Sequence, residues 1–164
     1  MLLKQISGLL ERYFQVPKNA CVAVLTPAQL QQVVTHAESV MRNALLAEED
    51  SEKAEDVAVD LSTAAIGRIC YVTLVRASTA PVRQATGEEH AIFELDSPDR
   101  DAGAEGELLS SVALYCPNGY ASAFLNNTFW ERSIKGSKAT TRNIRTMRRV
   151  LELVTLESAA TTAA

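Results

Sequence analysis

The sequence predicts an α+β fold rich in helix, in which long amphipathic helices pack on a small antiparallel sheet. Two segments, starting at Pro27 and at Ala139, repeat apolar residues at the three-and-four spacing of a helix. Shorter β-branched runs lie between them, and an Asn-Gly pair at 118–119 is typical of a tight hairpin turn. An all-α bundle is the alternative, because the runs at 69–75 and 108–116 fit a strand or a helix by periodicity.

Composition predicts one globular domain. The chain has 164 residues, of which 47% are apolar and 22% are charged, as in folded rather than disordered proteins. We expect a single domain over residues 1–158. An Ala/Thr tail at 159–164 follows, and we expect it to fray because it has nothing to bury.

Cysteine usage and hydropathy predict a cytoplasmic protein. The three cysteines stand in apolar runs, without a CxxC pair or a histidine at metal-ligand spacing, which is typical of free thiols in a reducing compartment. No apolar run reaches the roughly 20 residues that cross a bilayer. Residues 1–15 lack the continuous apolar stretch of a secretory signal, so we expect neither secretion nor a membrane partner.

The elements before residue 50 are predicted from spacing and from capping residues. Apolar residues at helical spacing over 2–14 predict a helix that Pro17 ends, and the β-branched run 20–25 predicts a strand. Thr26 is then a predicted N-cap, and Pro27 is the first residue of a helix of about five turns, where the missing N–H costs nothing.

The middle of the chain is predicted to form short elements. The segment 48–60 contains seven acids and one lysine, and a helix is predicted to begin near its Ser51. We prefer a strand for 69–75, with continuation of the preceding helix as the alternative. Residues 80–89 are predicted to form a loop and 91–95 a strand.

The last part of the chain is predicted to form a loop, a hairpin and a helix. Residues 96–106 carry turn residues and charge without apolar periodicity, which is typical of a surface loop. The runs 108–116 and 120–125 flank Pro117-Asn118-Gly119 and predict a β-hairpin. The second long helix is predicted over Ala139 to Glu157, with apolar residues at coiled-coil-like spacing. These residues are Ile144, Met147, Leu151 and Val154.

Charge is distributed unevenly along the chain. The net charge is −4, but residues 131–164 carry seven basic and three acidic groups, a net of +4, whereas residues 1–130 carry nine basic and seventeen acidic groups, a net of −8. The basic groups recur on nearly every turn and predict a surface for nucleic acid or another anion, aided by backbone N–H groups of Gly136 and Ser137. A solvated helix face, or ion pairing with the acidic segment 48–60, is the alternative. The predicted binding residues are Arg132, Lys135, Lys138, Arg142, Arg145, Arg148 and Arg149.

Catalytic and metal-binding patterns are weak. Asp96 and its acidic neighbours fail the EF-hand spacing, since Ser110 stands where a bidentate Glu is required. His36 and His90 lie far apart in sequence, and neither forms a recognisable nucleophilic site with Cys116. We therefore expect no enzymatic activity, no cofactor and no metal.

Three functions follow from these patterns. The first is a non-catalytic structural or assembly subunit, of a viral or phage particle or another large complex, that self-associates and contacts RNA, DNA or an acidic protein surface through its basic C-terminal helix. The second is a small nucleic-acid-binding regulatory module that uses the same arginines. The third is an enzyme of unrecognised type that uses His90, Cys116 or the loop around Asp96.

Overall fold

The computed structural model describes residue 12 and residues 23–49, 61–87, 91–95 and 109–162, and within these ranges the predicted α+β fold is confirmed. Five α-helices surround one four-stranded antiparallel sheet there. The helices are α1 (Pro27–Glu49), α2 (Thr63–Ile69), α3 (Thr79–Thr86), α4 (Asn127–Ser133) and α5 (Ile144–Thr162). The strands are β1 (Cys70–Val75), β2 (Ile92–Leu95), β3 (Leu109–Tyr115) and β4 (Ala139–Asn143).

The N-terminus of α1 confirms the predicted cap. The Gln29 N–H donates to Thr26 Oγ1 at 3.2 Å, and the Thr26 N–H donates to Gln29 Oε1 at 2.9 Å. This reciprocal pair is a capping box, in which each side chain accepts the backbone N–H of the other residue. The predicted helix from Pro27 is confirmed and runs over 23 residues.

The sheet has the order β2-β3-β1-β4, so β3 and β1 are its central strands and β4 is an outer strand. The strands predicted at 69–75 and 91–95 are confirmed as β1 and β2. The predicted hairpin is wrong, because β3 pairs with β1 on one side and β2 on the other. Both edges of β3 are therefore occupied. The chain after Cys116 instead turns at Gly119 and forms a 3-10 helix over Tyr120–Ser122.

The helix predicted from Ala139 is wrong in its first five residues, which form β4. Thr141 explains why: its hydroxyl donates to Asn127 Oδ1 at 2.8 Å and lies 2.8 Å from the hydroxyl oxygen of Thr73 on β1. Pairing of β4 with β1 places Thr141 directly opposite Thr73, so the strand conformation brings these hydroxyl groups together. The helix begins at Ile144, where the Asn143 side chain accepts the N–H of Arg145 at 2.9 Å.

The loop predicted at 80–89 is also wrong over most of its length, because Thr79–Thr86 forms α3. Its N-cap residue, Ser78, makes no side-chain capping bond. The carboxylate of Glu94 on β2 instead accepts both the N–H and the hydroxyl of Thr79, at 3.3 and 2.9 Å. A cap supplied by a distant strand leaves no local signal in the sequence.

Several predicted elements lie outside the described residues. These are the helix at 2–14, the residues 50–60 of the acidic segment with the helix start near Ser51, and the loop at 96–106. Residues 23–26, the described end of the predicted strand 20–25 and the residue after it, form no regular element. The described helix that follows the acidic segment is α2, where the Ser62 hydroxyl accepts the N–H of Ala65. At the other end, α5 continues to Thr162, and fraying of the tail stays a prediction.

Helices cover both faces of the sheet. Alternation along β1 directs Cys70, Val72 and Leu74 into a core with α1 and the first turns of α5. Val75 lies in a second core on the opposite face, with side chains from α3 and α4. Trp130 of α4 is fully buried there. The sheet is thus the middle of three layers, and the loops and helix ends at the β4 side carry the basic residues.

Candidate anion-binding surface

The start of α5 presents arginines because its apolar residues anchor the opposite side. Ile144 and Met147 are buried in the core with α1. On a helix of 3.6 residues per turn, Arg145 and Arg149 then lie on a different face, and both are exposed. Helical spacing in the sequence predicts one face shared by Arg142, Arg145 and Arg149; this prediction is wrong for Arg142, which lies on β4 and not on α5.

Arg142 lies on the outer strand β4 and is exposed. The Lys138 carbonyl accepts the N–H of Arg76 on the β1 side, so alternation along the strand directs the Thr141 carbonyl to the open edge. The Arg142 guanidinium donates to that carbonyl through Nη1 at 2.7 Å. The side chain therefore caps one edge acceptor and places its charge along the outer edge of the sheet.

Arg148 faces inward and does not share the surface of its neighbours. Its Nε donates to Glu38 Oε1 at 2.6 Å, and its Nη1 donates to the Thr63 carbonyl at 2.8 Å. The side chain is only 17% exposed. Arg148 thus ties α5 to α1 and α2, a role that its regular spacing among the other arginines does not indicate.

Two of the basic residues have acidic neighbours at the surface. Lys138 Nζ lies 3.5 Å from Glu131 Oε1, and Arg149 Nη1 lies 2.9 Å from Glu152 Oε2. Both pairs are exposed, and such pairs contribute at most about 1 kcal/mol each. A multiply charged anion can therefore compete for either cation.

Arg132 and Lys135 lie at the end of α4 and just after it, and both are exposed. The predicted help from backbone N–H groups at Gly136 and Ser137 is not supported for Ser137, whose N–H donates to the Ile134 carbonyl at 3.0 Å. The Ser137 hydroxyl donates to the Trp130 carbonyl. A strand rather than a helix follows, so there is no helix N-terminus here to attract an anion.

Arg68 of α2 is a further exposed cation near the start of α5, and sequence reasoning missed it. The preceding residue, Gly67, is so close to α5 that a Cβ built on it would lie 2.7 Å from Arg145 Cγ. Arg68 is exposed beside this crossing. The sequence signal for this contact is the glycine inside a helix, because such a glycine often marks the close approach of another segment. It does not identify which segment approaches.

Of the sequence candidates for a reactive site, the structure describes Cys116 and His36. Burial raises the pKa of the Cys70 thiol to about 12, against a smaller lowering effect from Arg148, and burial also raises the pKa of Cys116. Such thiols are poor nucleophiles because the thiolate is the reactive form. The His36 ring packs against Phe93 at 5.3 Å between centroids, whereas His90 and the aspartates of the 96–106 loop lie outside the described residues.

Within the described ranges, metal-binding clusters and membrane-spanning helices are both absent. No group of three or more His, Cys, Asp or Glu side chains in these ranges is placed to hold a metal ion. In the same ranges, no helix has both the length and the apolar character that crossing a membrane requires.

The geometry therefore gives a basic surface that follows the chain from the end of α4, along the outer strand β4, to the first turns of α5. We call it the basic surface, and its members are Arg132, Lys135, Lys138, Arg142, Arg145 and Arg149.

Comparison of the chain with family models, with curated proteins and with solved structures gave no match.

Proposed function

We propose that this protein is a non-catalytic assembly subunit that self-associates and binds a polyanion, either nucleic acid or an acidic protein, through its basic surface. The observation that carries the proposal is the division of α5 along its length. Arg145 and Arg149 are exposed in its first two turns, and Val150, Leu153 and Leu156 are exposed beyond them. One helix thus offers a cationic segment and an apolar segment.

The basic surface, which includes the cationic segment of α5, is suited to phosphate or carboxylate groups. Arg132, Lys135 and Arg145 have no carboxylate partner among the described residues, and the Arg142 guanidinium bonds only a backbone carbonyl. An arginine fork matches the geometry of either anion and stays charged at any physiological pH. Local potential, and not the net charge of −4, governs such contacts.

The apolar segment supports self-association. Leu153 and Leu156 are three residues apart and leave nearly half or more of their surface exposed, next to Val150. Burying exposed leucine surface contributes about 25 cal/mol per Å². The charge difference between residues 1–130 and 131–164 adds an electrostatic attraction between copies arranged head to tail. We further propose a cytoplasmic location, which the buried free thiols of Cys70 and Cys116 support.

Self-association is tested by light scattering of the purified protein at low and high salt, with absorbance at 260 nm to detect nucleic acid that copurifies. We expect an oligomer whose mass falls in Leu153→Asp, because a charge at an apolar contact opposes assembly. Leu46→Asp is the matched control, since Leu46 is similarly exposed on α1. A wild-type monomer at both salt concentrations would exclude the assembly role and favour the regulatory-module alternative.

Polyanion binding is tested by fluorescence anisotropy with a labelled DNA oligomer, and with polyglutamate as competitor. In Arg142→Ala/Arg145→Ala we expect weaker binding, and a slope of log affinity against log salt that is smaller by about two, because each lost phosphate contact removes about one released counterion. Arg42→Ala, an exposed cation on α1, serves as control. Binding of polyglutamate but not of DNA would assign the surface to an acidic protein. Equal DNA affinity of Arg142→Ala/Arg145→Ala and of Arg42→Ala would exclude this surface.

A further inference from the structure

A cavity with an exposed aromatic ring, that of Phe124, lies beside the end of β3. It has a volume of about 330 Å³, and Tyr115 and Phe124 are part of its lining, together with Thr86 at the end of α3. Phe124 is 79% exposed and Tyr115 is 41% exposed. An exposed aromatic side chain beside a cavity, such as Phe124 here, is typical of a binding site, because leaving such surface in water is unfavourable.

The exposed ring of Phe124 packs against the ring of Phe129 on its protein side. Its centroid lies 5.1 Å from that of Phe129, whose ring makes an edge contact with Trp130, also at 5.1 Å. Trp130 is fully buried in the core between α4 and the sheet. Phe124 is therefore the outermost of three contacting rings, and a flat ligand that stacks on it needs little ordering of the protein.

Cations of the basic surface lie next to these rings. Arg132 follows Phe129 by three residues on α4, and residues at this spacing are neighbours on a helix surface. Lys135 borders a second cavity, of about 420 Å³, together with Gln84 and Ala85 of α3. The next residue of α3, Thr86, lines the aromatic cavity, so this short helix connects the two cavities.

We propose that the aromatic cavity binds an unpaired base of a single-stranded nucleic acid, whose phosphates contact Arg132 and Lys135. Every base has a planar face that stacks on an aromatic ring, and the adjacent backbone carries the negative charge that these cations complement. Bases within a duplex are already stacked and paired, so they cannot enter. The inference rests on the proposed function, because the phosphates require the basic surface, and it specifies the anion as single-stranded nucleic acid.

The test measures anisotropy of a labelled oligothymidylate of about 12 nucleotides, an abasic oligomer of equal length and a duplex of equal length. We expect the oligothymidylate to bind most tightly. Phe124→Ala should weaken its binding by about 5- to 100-fold, as for loss of one base–aromatic stack, and should leave the abasic oligomer unaffected. Phe124→Leu keeps the apolar bulk without the aromatic face, so it should resemble Phe124→Ala.

The outcomes separate this inference from the proposed function. Equal binding of the base-bearing and abasic oligomers, with no effect of Phe124→Ala, would overturn base stacking and leave the basic surface intact. Absence of any oligomer binding at low salt would overturn this inference and leave an acidic protein as the polyanion of the proposed function. Tighter binding of a peptide with alternating acidic and apolar residues than of the oligothymidylate would assign the cavity to a protein and also overturn the inference. Phe124 is 79% exposed, so its substitution removes little buried surface and leaves the fold intact.

Discussion

Gly67 shows how one residue fixes the position of a candidate binding residue. It lies in α2, where its missing side chain lets the stem of Arg145 cross the helix. The Arg145 Cγ and Cδ atoms would lie 2.7 and 3.0 Å from an added Cβ, and these atoms are near the base of the side chain. They cannot move without turning the whole arginine.

We predict that Gly67→Ala lowers the free energy of unfolding by about 1 kcal/mol, because overpacking outweighs the better helix propensity of alanine. Urea denaturation measures the change. In an Arg145→Ala background the clash is absent, and the same substitution should instead stabilise the protein by about 0.5 kcal/mol. Equal losses in both backgrounds would show that the contact with Arg145 is not the cause.

At the scale of elements, the described helices begin with different kinds of cap. The capping box of α1 is entirely local, since Thr26 and Gln29 satisfy each other. The cap of α3 comes from Glu94 on a separate strand. Local caps act as soon as the helix forms, whereas remote caps require the assembled sheet.

We predict that Thr26→Ala costs about 1 kcal/mol of stability, because the N–H of Gln29 loses its acceptor. Thermal unfolding followed by circular dichroism measures this effect. Thr35→Ala is the matched control, since Thr35 is an exposed threonine inside the same helix. That control should be neutral or slightly stabilising, as alanine favours helix interiors. A loss of similar size in both variants would argue against a specific capping effect.

At the scale of the whole molecule, two cores on either side of one sheet exclude water from both faces of β1. Cys70 is completely buried in the core beneath α1, and burial raises the pKa of its thiol from 9.0 to about 12. The thiol is therefore protonated in the folded chain at pH values where the unfolded chain has begun to ionise. Folding and proton binding are linked through this residue.

We predict an alkaline loss of stability that depends on Cys70. A raised folded-state pKa gives stabilisation that is fully present below pH 9.0 and is lost as the pH rises toward about 12. Urea unfolding at a series of pH values should show a smaller decline above pH 9.0 in Cys70→Ala than in the wild type. Parallel pH profiles for the two proteins would contradict this linkage.

Local signals in the sequence account for the elements that were predicted correctly. Thr26-Pro27 with a long apolar periodicity predicted α1, and β-branched and aromatic residues predicted β1. The predictions failed where a distant partner decides the conformation. Pairing with β1 makes Ala139–Asn143 a strand, and occupation of both edges of β3 removes the expected hairpin.

The sequence alone favoured the α+β class over an all-α bundle. It determined the first long helix with its cap and the separation of acidic and basic charge, because these depend on residues close together in the chain. Tertiary structure decided which cations face solvent: Arg148 is drawn inward by Glu38, whereas Arg142 and Arg145 stay outside. It also brought Tyr115, Phe124 and Thr86 to one cavity. Such sites arise from packing between segments distant in sequence, and no local pattern encodes which segments will meet.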